Sequence, residues 1–280
     1  MTNTKTILVT GGTGKTGRRV AQQLADGGHT VRIGSRSAEQ PFDWNEPVTW
    51  KAALDGVDAA YVAFYPDLAF PGASETVAAF VEKGKELGVE RFVLISGRGE
   101  KGAQESEARL REAAPEWTIL RSSFFNQNFS EHFLLGPVLG GVIAFPAADM
   151  VEPFVDADDL AEIAVAALTK PGHDQQLYEL TGPRLLSFHD VAADLSEAIG
   201  RTITYQPIST EQYVEMAVAG GMPIEEAAPL GQLFAEILDG RNAHTTDGIA
   251  EVLGRPAKDF RYYATKTART GVWNIEAGER

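Results

Sequence analysis

The sequence predicts the α/β fold class: a doubly wound parallel sheet with a smaller, mostly helical C-terminal lobe. Three observations predict it. Short β-rich apolar runs alternate with segments of helical spacing over the first half, a glycine-rich turn follows the first apolar run, and the alternation gives way to helical segments after about residue 137. Because parallel neighbours need long crossovers, this alternation favours helices on both faces of one sheet.

The elements of the first half follow from composition and spacing. The predicted strands are rich in β-branched and other apolar residues, and the segments between them place apolar residues on one helical face. We predict strands at 6–10, 30–34, 59–64, 91–96 and 117–122, and helices at 14–26, 49–55, 73–88 and 103–113.

The second half contains three clear elements before its short helices. The third of them opens on Ser187, with Asp190 three residues later, which is a helix-start signal. We predict a helix at 156–169, a strand at 176–182 and a helix at 187–200. The predicted domains are 1–155 and a helical lobe at 156–280, with about 156–182 returning to the sheet.

The composition limits which classes of partner the protein is expected to bind and in which compartment it is expected to lie. The 280 residues carry a formal net charge of -14, which repels nucleic acid and anionic lipid. The absence of cysteine excludes disulfides and thiolate metal sites. The first residues lack the apolar stretch of a signal peptide, and no run is long enough to span a bilayer. We therefore expect a cytoplasmic monomer or homodimer with a small-molecule partner and no nucleic-acid or membrane partner.

The turn after the first strand, TGGTGKTGRR at 10–19, has features of two phosphate-binding loops. A triphosphate loop requires a glycine five residues before Gly14, and that position is Val9. The dinucleotide pattern fits in two registers, with glycines at 12, 14 and 17 or at 11, 14 and 17. Glycines permit the tight turn and let backbone N–H groups approach a pyrophosphate. The loop therefore predicts a dinucleotide site on a Rossmann fold.

The end of the second strand indicates which dinucleotide binds. An NAD site has a carboxylate here for the ribose hydroxyls, whereas an NADP site needs groups that bind the 2′-phosphate. The sequence places Arg36 between Ser35 and Ser37, and the first carboxylate is Glu39. Because a guanidinium beside two hydroxyls suits a phosphate, we predict NADP(H).

The usual catalytic constellations do not occur where the chemistry needs them. Short-chain reductases use a Tyr-x-x-x-Lys pair, which would fall at about 101–115, and that segment has no tyrosine. The match from Tyr262 to Lys266 lies far beyond the sheet. The histidines are scattered and Ser96 lacks the glycine of a nucleophile elbow, so we predict neither metal nor nucleophilic catalysis.

Four segments, at 9–21, 42–67, 117–129 and 152–164, resemble the NmrA-like, atypical short-chain dehydrogenases/reductases. Within that family, GGTGKT, SRS followed by FDW, and AAYVAFYP resemble the festuclavine and agroclavine dehydrogenases of ergot alkaloid pathways and their bacterial relatives. The resemblance implies NADP(H) binding on a Rossmann fold without the Tyr-Lys pair. The family also contains redox sensors and regulators.

The resemblance also implies the site residues. The cofactor residues would be Gly11, Thr13, Gly14, Lys15, Thr16 and Gly17 at the pyrophosphate, Ser35 and Arg36 at the 2′-phosphate, Phe64, Tyr65 and Pro66 beside a ribose, and Ser96 and Gly97 after the strand at 91–96. The family pattern R-P-x-x-F-x-x-N falls on 121–128, with Ser122 in place of proline. It implies Phe124, Phe125 and Asn128 at the substrate, and makes Tyr65, Ser96 and Asn128 the catalytic candidates.

A missing acid pair favours an acceptor that needs orientation more than a proton donor. Hydride transfer to an iminium gives a neutral amine, and a reduced quinone collects its proton from water. We therefore predict an NADPH-dependent oxidoreductase that transfers hydride to a small cyclic or aromatic iminium or quinone-like acceptor. The alternative is a non-catalytic NADP(H)-binding redox sensor that acts through a protein partner.

Overall fold

The computed structural model describes residues 4–275. Its strands are Thr6–Thr10 (β1), Thr30–Gly34 (β2), Ala59–Val62 (β3), Arg91–Gly97 (β4), Glu116–Ser122 (β5), Val142–Phe145 (β6), Val151–Glu152 (β7), Gln176–Leu180 (β8), Leu186–Ser187 (β9) and Thr204–Pro207 (β10). Its α-helices are Lys15–Asp26 (α1), Trp50–Leu54 (α2), Ala73–Glu86 (α3), Lys101–Ala113 (α4), Asn128–Glu131 (α5), Leu135–Gly140 (α6), Ala157–Thr169 (α7), Phe188–Ile199 (α8), Thr210–Ala219 (α9), Ile224–Ile237 (α10), Gly248–Leu253 (α11) and Phe260–Ala268 (α12).

The chain divides into two compact units. Within the described residues, the first comprises 4–122, 157–180 and 248–255, and the second comprises 123–156, 181–247 and 256–275. The segment 157–180 belongs to the sheet unit, whereas the first stretch of that unit ends at Ser122 rather than at residue 155. The reason is that 123–156 contributes aromatic side chains to the core of the second unit.

The first unit contains a six-stranded parallel sheet in the order β2-β1-β3-β4-β5-β8. The chain runs from β1 to β2 and then crosses back to β3 on the other side of β1, so the winding direction changes there. In open α/β sheets, ligands bind outside the carboxyl ends of the strands at such a switch point. The predicted doubly wound parallel sheet is confirmed.

Helices cover both faces of this sheet. Leu8, Val62 and Leu94 enter a core that also contains residues of α2, α3 and α4. The intervening strand residues point to the opposite face because side chains alternate along a strand, and there α1 and α7 contact each other. Phe42, Trp44, Trp50 and Phe80 form a ring cluster in the first core, which anchors the segment between β2 and β3.

The second unit has an aromatic core. Phe129, Phe188 and Trp273 are fully buried in it, and the Trp273 indole N–H donates to the Phe129 carbonyl at 2.9 Å. The capping box predicted at Ser187 begins α8. Two small sheets, β6 with β10 and β7 with β9, were not predicted, because strands of two to four residues carry too little periodicity. Among the described residues, no helix is both long and apolar enough to cross a membrane.

Candidate cofactor site and active site

The loop between β1 and α1 forms a tight turn that requires glycine. Gly11 has φ of +61°, and its carbonyl accepts the Gly14 N–H at 2.8 Å. A Cβ on Gly17 would lie less than 3.0 Å from the backbone of Gly11 and Gly12, so α1 packs directly on the loop. This is the close approach that the dinucleotide pattern predicts.

The first turn of α1 offers its backbone N–H groups to an anion. Gly14 is the N-cap residue, it provides no side-chain cap, and no acidic residue occupies the first turn. Such an N-terminus carries a partial positive charge and N–H groups that have no acceptor within the helix, which suit a pyrophosphate. Thr13 and Gly14 are exposed at the tip of the loop, and Lys15 is half-buried. The loop, its glycines and the helix start therefore fit the phosphates of a dinucleotide.

Two threonines connect this loop to β3. The buried Thr10 hydroxyl accepts the Ala63 N–H at 2.8 Å and lies 3.1 Å from the Tyr61 carbonyl, so it joins the carboxyl ends of β1 and β3. Thr16, predicted at the pyrophosphate, is buried and hydrogen-bonds the Tyr61 hydroxyl. Burial raises the pKa of Tyr61 well above its ordinary value. The Thr16 side chain thus supports the sheet at the predicted phosphate site.

The end of β2 brings together the residues predicted for the 2′-phosphate. The Ser35 and Ser37 hydroxyls are 3.3 Å apart, and both residues line a cleft of about 570 Å³ that Thr13 also lines. Arg36 is exposed, and its guanidinium lies 5.6 Å from the centre of the Tyr65 ring. Within residues 4–275, no hydrogen bond or ion pair engages that guanidinium. Its charge is therefore available to an anion.

The residues predicted beside a ribose, which follow Ala63 after β3, have different environments. Phe64 packs against Trp44, with ring centres 5.0 Å apart, and the Trp44 indole N–H donates to the Ala63 carbonyl. Tyr65 is 61% exposed, and Pro66 is exposed beside it. Phe64 therefore anchors the loop to the core, whereas the Tyr65 ring is presented to solvent next to Arg36.

Ser96, at the end of β4, joins a buried ion-pair network. Its hydroxyl donates to Glu107 at 2.7 Å, and Glu107, on α4, is only 2% exposed. Arg121 on β5 binds both Glu107 oxygens and also donates to Glu179 on β8 at 3.1 Å. Hydrogen bonding to Glu107 raises the pKa of Arg121 above its ordinary value. The sequence prediction missed both glutamates, because no motif reaches α4 or β8.

Two further carboxyl groups lie at the ends of β3 and β4. Asp67 lies in the loop after β3, and Glu100 is the N-cap residue of α4. Glu100 packs against Gly97 so closely that a Cβ on Gly97 would overlap its carboxyl group. Burial raises the pKa of Asp67, and the Ala69 N–H, which donates to it at 2.8 Å, opposes that effect. The sequence prediction did not select either acid, although each lies in the loop that follows a strand of the sheet.

The residues predicted at the substrate lie in the second unit. Phe124 is half-buried, and its ring meets Phe154 edge-on with centres 5.6 Å apart, so it belongs to the aromatic core. Phe125 is half-buried and forms an isolated bridge with Val155. Asn128 is buried at the start of α5, and its N–H donates to the Phe125 carbonyl. Their predicted contacts with a substrate stay a prediction.

Comparisons with known proteins agree with this geometry. Residues 11–171 match the NAD(P)H-binding family. The NAD(P)H azoreductase of Xenophilus azovorans is 32% identical, over 92% of this chain and 96% of the relative. Festuclavine synthase I of Penicillium roqueforti is 30% identical, over 92% of this chain and 97% of the relative.

Solved structures show the same fold. The triphenylmethane reductase of Citrobacter sp., complexed with NADP(H), superimposes with a TM-score of 0.71 at 23% identity, over 94% of this chain and 99% of that one. The negative transcriptional regulator NmrA, in complex with NAD, superimposes with a TM-score of 0.71 at 16% identity, over 97% of this chain and 99% of that one. The chain therefore belongs to the NAD(P)H-binding family and is an NAD(P)H-dependent oxidoreductase.

Proposed function

We propose that this protein transfers hydride from NADPH to a small cyclic or aromatic acceptor of the iminium or quinone type, without a Tyr-Lys acid pair. The observation that carries the proposal is the uncapped glycine loop beside the exposed Arg36 and Tyr65. NADPH supplies the hydride when it is bound. Relatives named as azoreductase and festuclavine synthase support a small-molecule acceptor.

Some residues of the chain bind the cofactor, and others orient the acceptor. The glycine loop and the start of α1 bind the pyrophosphate, and Arg36 with Ser35 binds the 2′-phosphate. Tyr65, exposed at the end of β3, orients the acceptor, and Ser96 with Gly97 supports the nicotinamide end from β4. The Tyr-x-x-x-Lys match at Tyr262 lies on α12 of the second unit, next to the core residue Tyr263. This placement supports chemistry without that pair.

The first experiment is a binding titration of the purified protein with NADPH, NADH and ATP at one salt concentration. We expect NADPH to bind most tightly and ATP not to bind. NADPH consumption is then measured with an iminium and a quinone acceptor. Tight ATP binding would overturn the dinucleotide assignment, and NADPH binding without consumption by any acceptor would favour the redox sensor.

Replacing Arg36 by alanine tests the 2′-phosphate assignment. Because charged hydrogen bonds contribute about 1.5–3 kcal/mol, we expect NADPH affinity to fall roughly 10- to 100-fold, with little change for NADH. Calorimetric titration measures both. Arg109→Ala, which removes an exposed arginine from α4, controls for net charge and should leave both affinities unchanged. An unchanged NADPH/NADH ratio in Arg36→Ala would refute the assignment.

Replacing Tyr65 by phenylalanine tests whether its hydroxyl transfers a proton. We expect kcat to fall less than about tenfold, because the ring orients the acceptor, whereas loss of a general acid costs about 10²- to 10⁴-fold. Tyr65→Ala removes the ring and should raise KM for the acceptor. Steady-state kinetics with saturating NADPH separates the two constants. A loss of kcat above 100-fold in Tyr65→Phe would make the hydroxyl the proton donor.

A further inference from the structure

The short helix α5 depends on the C-terminal part of the chain for its hydrogen bonds. It spans only Asn128–Glu131, which is too short for any of its carbonyl groups to find a partner four residues later within the helix. The Trp273 indole N–H donates to the Phe129 carbonyl at 2.9 Å, and the Tyr263 hydroxyl donates to the Ser130 hydroxyl at 2.7 Å. These donors lie 144 and 133 residues further along the chain. The C-terminal residues therefore fix the conformation of α5.

Ring packing reinforces these hydrogen bonds. Phe260 meets Phe129 edge-on with ring centres 5.5 Å apart, and the Tyr263 ring contacts both Phe260 and Trp273, at 5.4 and 6.0 Å between centres. All four side chains are buried. Burial also raises the pKa of Tyr263 above its ordinary value, so its hydroxyl keeps its proton and remains a donor. Phe260, Tyr263 and Trp273 together form a C-terminal clamp on α5.

Asn128, the first residue of α5, has a fixed backbone and an amide that the protein does not use. Its N–H donates to the Phe125 carbonyl at 3.1 Å, and its carbonyl accepts the Leu134 N–H at 3.2 Å. The residue is only 8% exposed, and among the described residues no hydrogen bond engages its side-chain amide. A nearly buried amide without a partner is costly. Its two donors and its acceptor therefore suit a ligand that supplies the missing hydrogen bonds.

We propose that Trp273 is a positioning residue of the reductase, which acts through Phe129 to hold the Asn128 amide where it binds the acceptor. The inference rests on the proposed function, in which the acceptor needs orientation more than a proton donor. Without the indole N–H, the Phe129 carbonyl loses its donor and α5 can shift. A displacement of about 1 Å can cost about 100-fold in rate, so the loss falls on reduction of the acceptor. The glycine loop and Arg36 belong to the first unit and keep their geometry.

The test is a double-mutant cycle of Trp273→Phe, which keeps an aromatic ring but removes the N–H, and Asn128→Ala. The acceptor is the quinone menadione, with NADPH saturating. We expect kcat/KM for menadione to fall roughly 10- to 100-fold in each single variant and no further in the double variant. Calorimetric titration should show wild-type NADPH affinity in all three. Trp50→Phe is the matched control, because it also removes an indole hydrogen bond of 2.9 Å, to the Asp43 carbonyl, and should keep the wild-type kcat/KM.

Tyr263→Phe decides the question if Trp273→Phe does not fold, because it removes only the hydroxyl that binds Ser130. It should also lower kcat/KM and show the same coupling to Asn128→Ala. All assays are made below the melting temperature of every variant. If the losses in the single variants multiply in the double variant, or if the clamp variants keep the wild-type kcat/KM, the positioning role is wrong while the reductase function stands. If wild type oxidises NADPH with neither menadione nor a cationic triphenylmethane dye, the proposed function fails and the positioning role fails with it.

Discussion

Replacement of Gly17 by alanine is expected to abolish measurable NADPH binding, raising Kd by more than about 100-fold, or roughly 2.7 kcal/mol. In an open helix position this change would stabilise the protein by up to about 1 kcal/mol, because alanine favours the helix. At Gly17 the sign reverses, since the new Cβ would overlap the backbone of the loop and push α1 away from it. Calorimetric titration and thermal unfolding measure the two effects.

Gly140→Ala is the matched control for this prediction. Gly140 also lies in a helix, α6, but among residues 4–275 a Cβ there would meet no atom within 4 Å apart from its chain neighbours and the backbone of its own helix. We expect its NADPH affinity to be unchanged. Circular dichroism decides whether Gly17→Ala retains its helices below its melting temperature, so that lost binding is not confused with lost folding. Wild-type affinity in a folded Gly17→Ala variant would contradict the proposed phosphate contact.

Replacement of Arg121 by methionine should destabilise the protein by about 3–5 kcal/mol, because it leaves the buried Glu107 carboxylate without its main partner. Arg121 also donates a hydrogen bond to Glu179, so the substitution weakens the contacts that connect β4, β5 and α4. Urea unfolding at neutral pH measures the free energy. The double variant Arg121→Met with Glu107→Met should recover part of the loss, since an apolar pair can replace a buried ion pair at little cost.

Arg109→Met is the control for the network, because its salt bridge with Glu112 joins side chains that are 54% and 70% exposed. An exposed pair contributes less than about 1 kcal/mol, so the change should be small. A similar small effect for Arg121→Met would mean that the network contributes no more than a surface pair.

The sheet could be predicted from the sequence because its central strands are buried on both faces and therefore appear as continuous apolar runs. The strand at 91–96 was predicted within one residue of β4 for this reason. The glycine loop could be predicted because the spacing of its glycines is enough to specify the turn. The contacts of Glu107 and Glu100 could not be predicted in this way. They depend on how α4 packs against the sheet, and hydrophobic periodicity does not determine that packing.

The second unit shows a different limit of sequence reasoning. Phe124 was assigned to the substrate by resemblance, and the structure places its ring in an aromatic cluster with Phe145 and Phe188. An apolar ring suits a ligand pocket and a core equally well, so composition cannot separate the two. The structure divides the units at Ser122, whereas we predicted a boundary at residue 155, and the sequence has no glycine or proline between Ser122 and Gly136 to mark that division.

The Thr10 hydroxyl has a consequence for how the nucleotide is received. It joins the carboxyl ends of β1 and β3 through backbone groups of Tyr61 and Ala63. The spacing of these two strand ends is therefore fixed by hydrogen bonds that belong to the fold. We expect a nucleotide that binds there to require little ordering of this part of the protein, so that its affinity depends mainly on shape and charge.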